Sequence, residues 1–177
     1  LQERVPRAVS RLLAPEPQPR RRPRKEAPAS TLQNVLPGDA ALQPTLLMSN
    51  GRYSVSVRPN GAGSSRFGGA DVSRWRDDAL RDAYGTFFYL RRHTAQGASA
   101  PVSPTQHPAP DSNAHYESAL HSDHIFLHAH WPDLHSCCTV WVSPEDDIEL
   151  RRVELWNTSN EDTALDLMSV FEVSLLD

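Results

Sequence analysis

The chain has 177 residues and a net charge of −4, a length that suits about one domain. Apolar residues make up 38%, below the roughly 45–50% of ordinary globular chains. No stretch approaches the ~20 consecutive apolar residues of a membrane-spanning helix, which excludes a helical span.

The first 44 residues hold eight of the fifteen prolines. Residues 1–26 carry eight basic and three acidic side chains, whereas 27–177 carry ten basic and nineteen acidic. A basic, proline-rich arm (1–44) is therefore expected before an acidic body (45–177). Within the arm, "PEPQPRRRPRKEAPAS" (15–30) combines fixed φ angles, missing donors and mutually repelling guanidinium groups. Such a segment buries too little apolar surface to offset its ordering entropy, so it reads as a disordered linker. A polybasic run can also touch anionic lipid head groups. It lacks interleaved aromatics, which argues against a nucleic-acid partner. The opening "LQERVPRAVSRLL" has no long apolar core of a signal peptide.

From residue 45 the apolar period is mostly two, which predicts β-structure. In "GRYSVSV", Tyr53, Val55 and Val57 share one face. The turn "RPNGAGSS" (58–65) follows. Next, "DVSRWRDDALRDAYG" (71–85) gathers arginines and aspartates around one indole, and only its 73–82 part looks helical or irregular. Arg74, Trp75, Arg76, Asp78 and Asp82 form a candidate polar wall. Tryptophan stacks on sugar C–H faces while Arg and Asp bond hydroxyls with charge-assisted strength. The same set serves equally as an internal ion-pair network. "GTFFYLRR" (85–92) is rich in aromatic strand formers.

"DHIFLHAHW" (123–131) puts Ile125, Leu127, Ala129 and Trp131 on one face and His124, Phe126, His128 and His130 on the other. "CCTVWV" (137–142) alternates, placing Cys137 and Cys138 on opposite faces. Both are expected to be reduced, with one buried. "DIELRRVELWN" (147–157) shifts apolar face between Leu150 and Val153, which predicts a bulge. "TALDLMSVFEVSLL" (163–176) reads as one long strand sending Leu165, Leu167, Phe171, Val173 and Leu175 to one side. Apolar on both faces, it needs sheet around it. Short strands with Asn/Asp/Gly turns between them predict an all-β antiparallel sandwich.

Six of the eight histidines lie between 115 and 135, and His128 and His130 share a strand face. Neither HExxH nor paired CxxC spacing is present, so the sequence assigns no metal site and no cofactor. No G-x-S-x-G turn marks a nucleophile. Glu145, Asp146 and Asp147 read as a solvated corner rather than an acid/base pair.

"LLMSNGRYSVSV", "GAGSSRFGGADVSRWRDDALRDAYGTFFYLR" and "VSPEDDIELRRVELWNTS" occur in an order that resembles the amino-terminal sandwich of glycosyltransferase family 36, now glycoside hydrolase family 94. The nearest form is the phosphorylase-like region of cyclic β-1,2-glucan synthases. The matching residues run from Leu47 to Tyr53, then Gly61, Gly63, Ser65 and Phe67. Arg74, Trp75, Arg76, Asp78, Asp82, Gly85 and Tyr89 follow. "LQERVP" resembles the bridge after the preceding module of those synthases. The family's W-S-x-x-x-Q-P-like run is replaced here by "VSPTQHP" (102–108).

The resemblance implies an incomplete galactose-mutarotase-like supersandwich, a non-catalytic portion of a β-glucan synthase or β-glucoside phosphorylase. Its catalytic (α/α)6 barrel, with the aspartate general acid and the phosphate that attacks the anomeric carbon, lies outside this chain. Implied partners are β-glucan or gluco-oligosaccharide, the barrel, and a second copy in a homodimer. The implied location is the cytoplasm or the cytoplasmic face of the inner membrane. The alternatives are a stand-alone carbohydrate-binding module and a structural interaction domain.

Overall fold

The computed structural model describes residues 29–74 and 84–176, and these form strands and, among them, no helix. In chain order the strands are β1 (Leu32–Pro37), β2 (Leu46–Ser49), β3 (Tyr53–Val57), β4 (Gly63–Phe67), β5 (Ala70–Ser73) and β6 (Thr86–Thr94). There follow β7 (Gly97–Ala98), β8 (His115–His121), β9 (His124–His130), β10 (Leu134–Val142), β11 (Glu149–Asn157), β12 (Ala164–Phe171) and β13 (Val173–Leu176).

One layer is a five-stranded sheet, β1-β8-β9-β10-β11. The other consists of a five-stranded sheet, β13-β5-β4-β3-β2, and a three-stranded sheet, β12-β6-β7. All named pairings are antiparallel. The predicted all-β sandwich is thus present, built of hairpins together with three long-range pairings, β1–β8, β6–β12 and β5–β13.

Period-two alternation decides which side chains meet between the layers. Leu120, Ile125, Leu127, Cys138 and Val140 of the first layer pack on Leu46, Met48, Tyr53, Val55 and Val57 of the second. Val55, Val57, Ile125 and Val140 are fully enclosed, and burial of such a side chain contributes about 1.5–3 kcal/mol each. A second cluster joins Leu90 of β6 to Tyr116, Ala129, Trp131 and Leu134. Within the second layer, backbones approach closely at two glycines. A Cβ on Gly63 would sit 2.2 Å from the Ser56 carbonyl oxygen, and one on Gly85 would sit 2.3 Å from that of Gly63.

Four expectations change. First, β11 carries no bulge: its register with β10 is continuous from Asn157 to Glu149. The apolar phase slips because inward positions 149 and 151 hold a buried ion pair, Glu149–Arg151 at 2.5 Å, with side chains only 9% and 7% exposed. Ser65 Oγ donates to Glu149, and Arg151 donates to the Thr86 carbonyl at 2.7 Å. The polar groups are satisfied without an extra residue.

Second, 163–176 is two strands. β12 pairs with β6 and β13 pairs with β5, and the chain changes sheet at Glu172, whose carbonyl accepts the Arg74 N–H. Third, both cysteines are free and buried. Cys138 faces the core, where burial pushes its thiol up to about 12. Cys137 faces outward but lies between His128 and Glu154 on the flanking strands. Fourth, the expected arm includes a strand: β1 pairs with β8 and Leu36 packs on the core. Its other side chains are exposed, so apolar periodicity could not reveal it.

Candidate functional site

Of the proposed polar wall, only Arg74 lies among the described residues. It is exposed at the end of β5, its amide donating to Glu172 at 3.1 Å. Trp75, Arg76, Asp78 and Asp82 lie outside the described residues. A comparable Arg/Asp/Trp set occurs elsewhere, around Trp131. The Trp131 indole donates to Asp111 at 2.8 Å, the Arg92 guanidinium lies over the ring at 5.6 Å, and Arg92 pairs with Asp133. Trp131 is only 7% exposed, so this set fastens a loop to the core and leaves no face for a ligand.

The "SNGRY" motif is likewise structural. Asn50 Oδ1 accepts the Arg52 and Tyr53 amides at 3.0 and 2.8 Å, making a tight turn. Its Nδ2 donates to the Ser143 and Asp146 carbonyls and to the Asp147 carboxylate. Arg52 joins Asp147 at 3.1 Å. The turn between β2 and β3 is thereby clasped to the corner between β10 and β11. Glu145 and Asp146 are exposed there, while Asp147 is a structural partner.

Chemistry with open access lies on the outer face of the β1-β8-β9-β10-β11 sheet. At one end, Phe126, Trp141, Thr139, Asp123, His124 and Arg152 line part of a cleft of about 880 Å³. His124 and Trp141 are register partners. His124 stacks on His121 at 4.3 Å and meets the edge of Phe126 at 4.7 Å. Asp123 accepts from Ser30 and from His124 Nδ1, the latter at 2.8 Å. A few apolar rings flanked by directional polar groups form the common pattern of a small-ligand cleft.

At the other end stand His128, His130 and His135. The first two are two residues apart on β9, so the pleat points both outward. The turn into β10 closes with the Trp131 amide on the Leu134 carbonyl at 2.8 Å, and this sets His135 opposite His130. The three rings converge: His128 Nδ1 lies 3.3 Å from His135 Nε2, and His130 stacks on His135 at 4.1 Å. Trp156 stacks on the far side of His135 at 4.9 Å. Glu117 of β8 approaches His130 Nε2 at 3.5 Å.

Burial holds the His128 imidazole below the usual histidine range; Glu117 opposes the shift, and His135 and His130 reinforce it. Burial lowers His135 in the same way, with His130 adding to it. Low basicity favours the neutral ring, the form that accepts a metal ion. The sequence placed His128 and His130 on one face but not His135. The missing signal was the short turn after Trp131, which fixes the hairpin register.

Residues 38–177 match the family model described as "Glycosyl hydrolase 94, supersandwich domain". The chain is also 35% identical over 136 residues to the cyclic beta-(1,2)-glucan synthase NdvB of Rhizobium meliloti (strain 1021). That match covers 72% of this chain and 4% of the relative's length.

Proposed function

The chain belongs to the glycosyl hydrolase 94 supersandwich family, and from that membership we propose that it is a non-catalytic, carbohydrate-associated β-sandwich of a β-glucan-acting enzyme. In this reading it supports a catalytic barrel located elsewhere in the parent protein, on the cytoplasmic side of the membrane. The observation that carries the proposal is the family match over residues 38–177. The similarity to a named β-(1,2)-glucan synthase favours gluco-oligosaccharide as the ligand class.

Two features of the molecule fit. Several described carboxylates are committed to structure: Glu149 with Arg151, Asp147 with Arg52, Asp166 with Arg91, Asp133 with Arg92 and Asp71 with Arg66. Such pairing leaves these groups poorly suited to proton transfer in a glycosidic reaction. The cleft beside Trp141, by contrast, offers ring faces and hydroxyl partners together.

The test is a calorimetric titration of the chain with β-1,2-gluco-oligosaccharides, run beside an assay with inorganic phosphate. The expected result is binding in the millimolar range, abolished in Trp141→Ala, with no sugar phosphate released. Turnover by this chain alone would overturn the non-catalytic role. Heat unchanged by sugar would leave a structural interaction domain as the better reading, and binding retained in Trp141→Ala would place the sugar away from this cleft.

A further inference from the structure

We propose that His128, His130 and His135, with Glu117 as the fourth ligand, form a zinc-binding site on the outer face of the five-stranded sheet. The three imidazoles come from two adjacent strands and present nitrogens that all lie within 4.8 Å of one another. Zinc takes N and O ligands at about 2.0–2.2 Å in a tetrahedron, so neighbouring donor atoms in such a shell stand about 3.3–3.5 Å apart. Two edges of that tetrahedron already have this length. They are His128 Nδ1 to His135 Nε2 at 3.3 Å and His130 Nε2 to Glu117 Oε1 at 3.5 Å. Closing the remaining pairs requires His130 to tilt out of its stack on His135 and Glu117, which stands outside the three converging imidazoles, to move with it.

Several facts separate this cluster from a chance set of surface rings. All three histidines are half-buried, so less side-chain entropy remains to be lost on coordination. Strands, not loops, hold the ligands: β8, β9 and β10 are consecutive and their register is continuous through Glu117, His128 and His130. Trp156 packs against His135 and restricts its ring. Three imidazoles and one carboxylate suit zinc, whereas magnesium and calcium prefer all-oxygen shells. The site adjoins the sugar cleft along β9, where the cleft-lining Phe126 ring lies 5.9 Å from the His128 ring, and extends away from it. His124 and His130 are six positions apart on β9, which corresponds to ~20 Å of extended chain.

The two thiols are placed differently with respect to it. Cys138 faces the opposite side of the sheet. Cys137 is buried on the outer face as the register partner of His128, and its sulfur is outside the group of donor atoms that converge there.

The experiment titrates the purified, metal-stripped full chain with zinc against a chromophoric chelator, and separately with cobalt while recording visible absorption. The expected result is one zinc per chain and the intense visible bands of tetrahedral cobalt. His130→Ala and His135→Ala are expected to weaken zinc binding at least tenfold. Glu117→Gln should weaken it about tenfold or more, because a neutral amide oxygen is a poorer zinc ligand than a carboxylate. His115→Ala, also on the outer face, and Cys137→Ser should leave it unchanged. Far-ultraviolet circular dichroism checks that each variant is folded, and the cobalt spectrum of the unaltered chain needs no variant.

No binding, octahedral cobalt, zinc retained in His135→Ala, or zinc lost in Cys137→Ser would each overturn the proposal. Failure of the sugar titration leaves the zinc result standing, and the reverse also holds.

Discussion

The Asn50 side-chain amide meets five partners: its oxygen accepts from two amides of its own turn, and its two N–H groups are shared among three acceptors at the corner between β10 and β11. Each such bond contributes about 0.5–1.5 kcal/mol net, and unpaired groups cost more when partly buried, so Asn50→Ala should destabilise the domain by about 2–4 kcal/mol. Urea unfolding checks it, and a loss below about 1 kcal/mol would mean that water replaces the clasp. Asp111 gives a pH-dependent counterpart. The Asn113 amide holds its carboxyl below the ordinary value of 3.8; burial opposes this, and the Trp131 indole and the Asn113 side chain add to it. As the pH falls, the unfolded chain takes up this proton first. The stabilisation is therefore present above about pH 4 and is lost as the pH drops through the folded value. Between about pH 6 and pH 3 the urea midpoint should fall more steeply for the unaltered chain than for Asp111→Asn. Parallel curves would show that Asp111 has no part in the acid sensitivity.

At the level of single strands, β11 shows how polar chemistry can disguise a regular element. Its outward and inward residues alternate without interruption, but the inward series begins with Glu149 and Arg151 before reaching Val153 and Leu155. Removing one charge strands the other. Glu149→Gln should cost about 3–5 kcal/mol, while Glu149→Leu with Arg151→Met should lie close to the unaltered chain. Chemical denaturation of the three proteins reads this directly, and a double variant as unstable as Glu149→Gln would contradict it. The same case explains what the sequence could and could not reveal. β3 and β9 were legible because apolar and polar residues alternate cleanly through Tyr53–Val57 and His124–His130. β11 was misread because an ion pair occupies apolar positions. β1 was hidden because only Leu36 reaches the core. The outward histidines of β9 were legible as a face, but His135 belongs with them only through a turn geometry that composition does not encode. Beyond Arg74, the wall around Trp75 lies outside the described residues.

Across the whole molecule, the second layer ends in apolar surface. Leu167, Met168, Val170, Phe171, Val173 and Leu175 on β12 and β13 are 38–71% exposed. Both strands are sheet edges, and an apolar edge is a template for pairing with other polypeptide. The chain should therefore self-associate at high concentration. Met168→Lys with Val170→Lys, on one face of β12, should weaken that association by about tenfold or more. Sedimentation velocity distinguishes the outcomes, and a monomer at every concentration in both proteins would count against it. The family assignment was readable from three ordered motifs, and their described residues prove to be turns and close approaches: Asn50, Gly63 and Gly85. One arrangement has a mechanical consequence. The stretch from Ala164 to Leu176 borders first the three-stranded sheet and then the five-stranded one, with Arg74 pinning it midway at Glu172. It works as a common hem. A pull on it loads both hydrophobic clusters together, so neither half of that layer comes loose while the other stays shut.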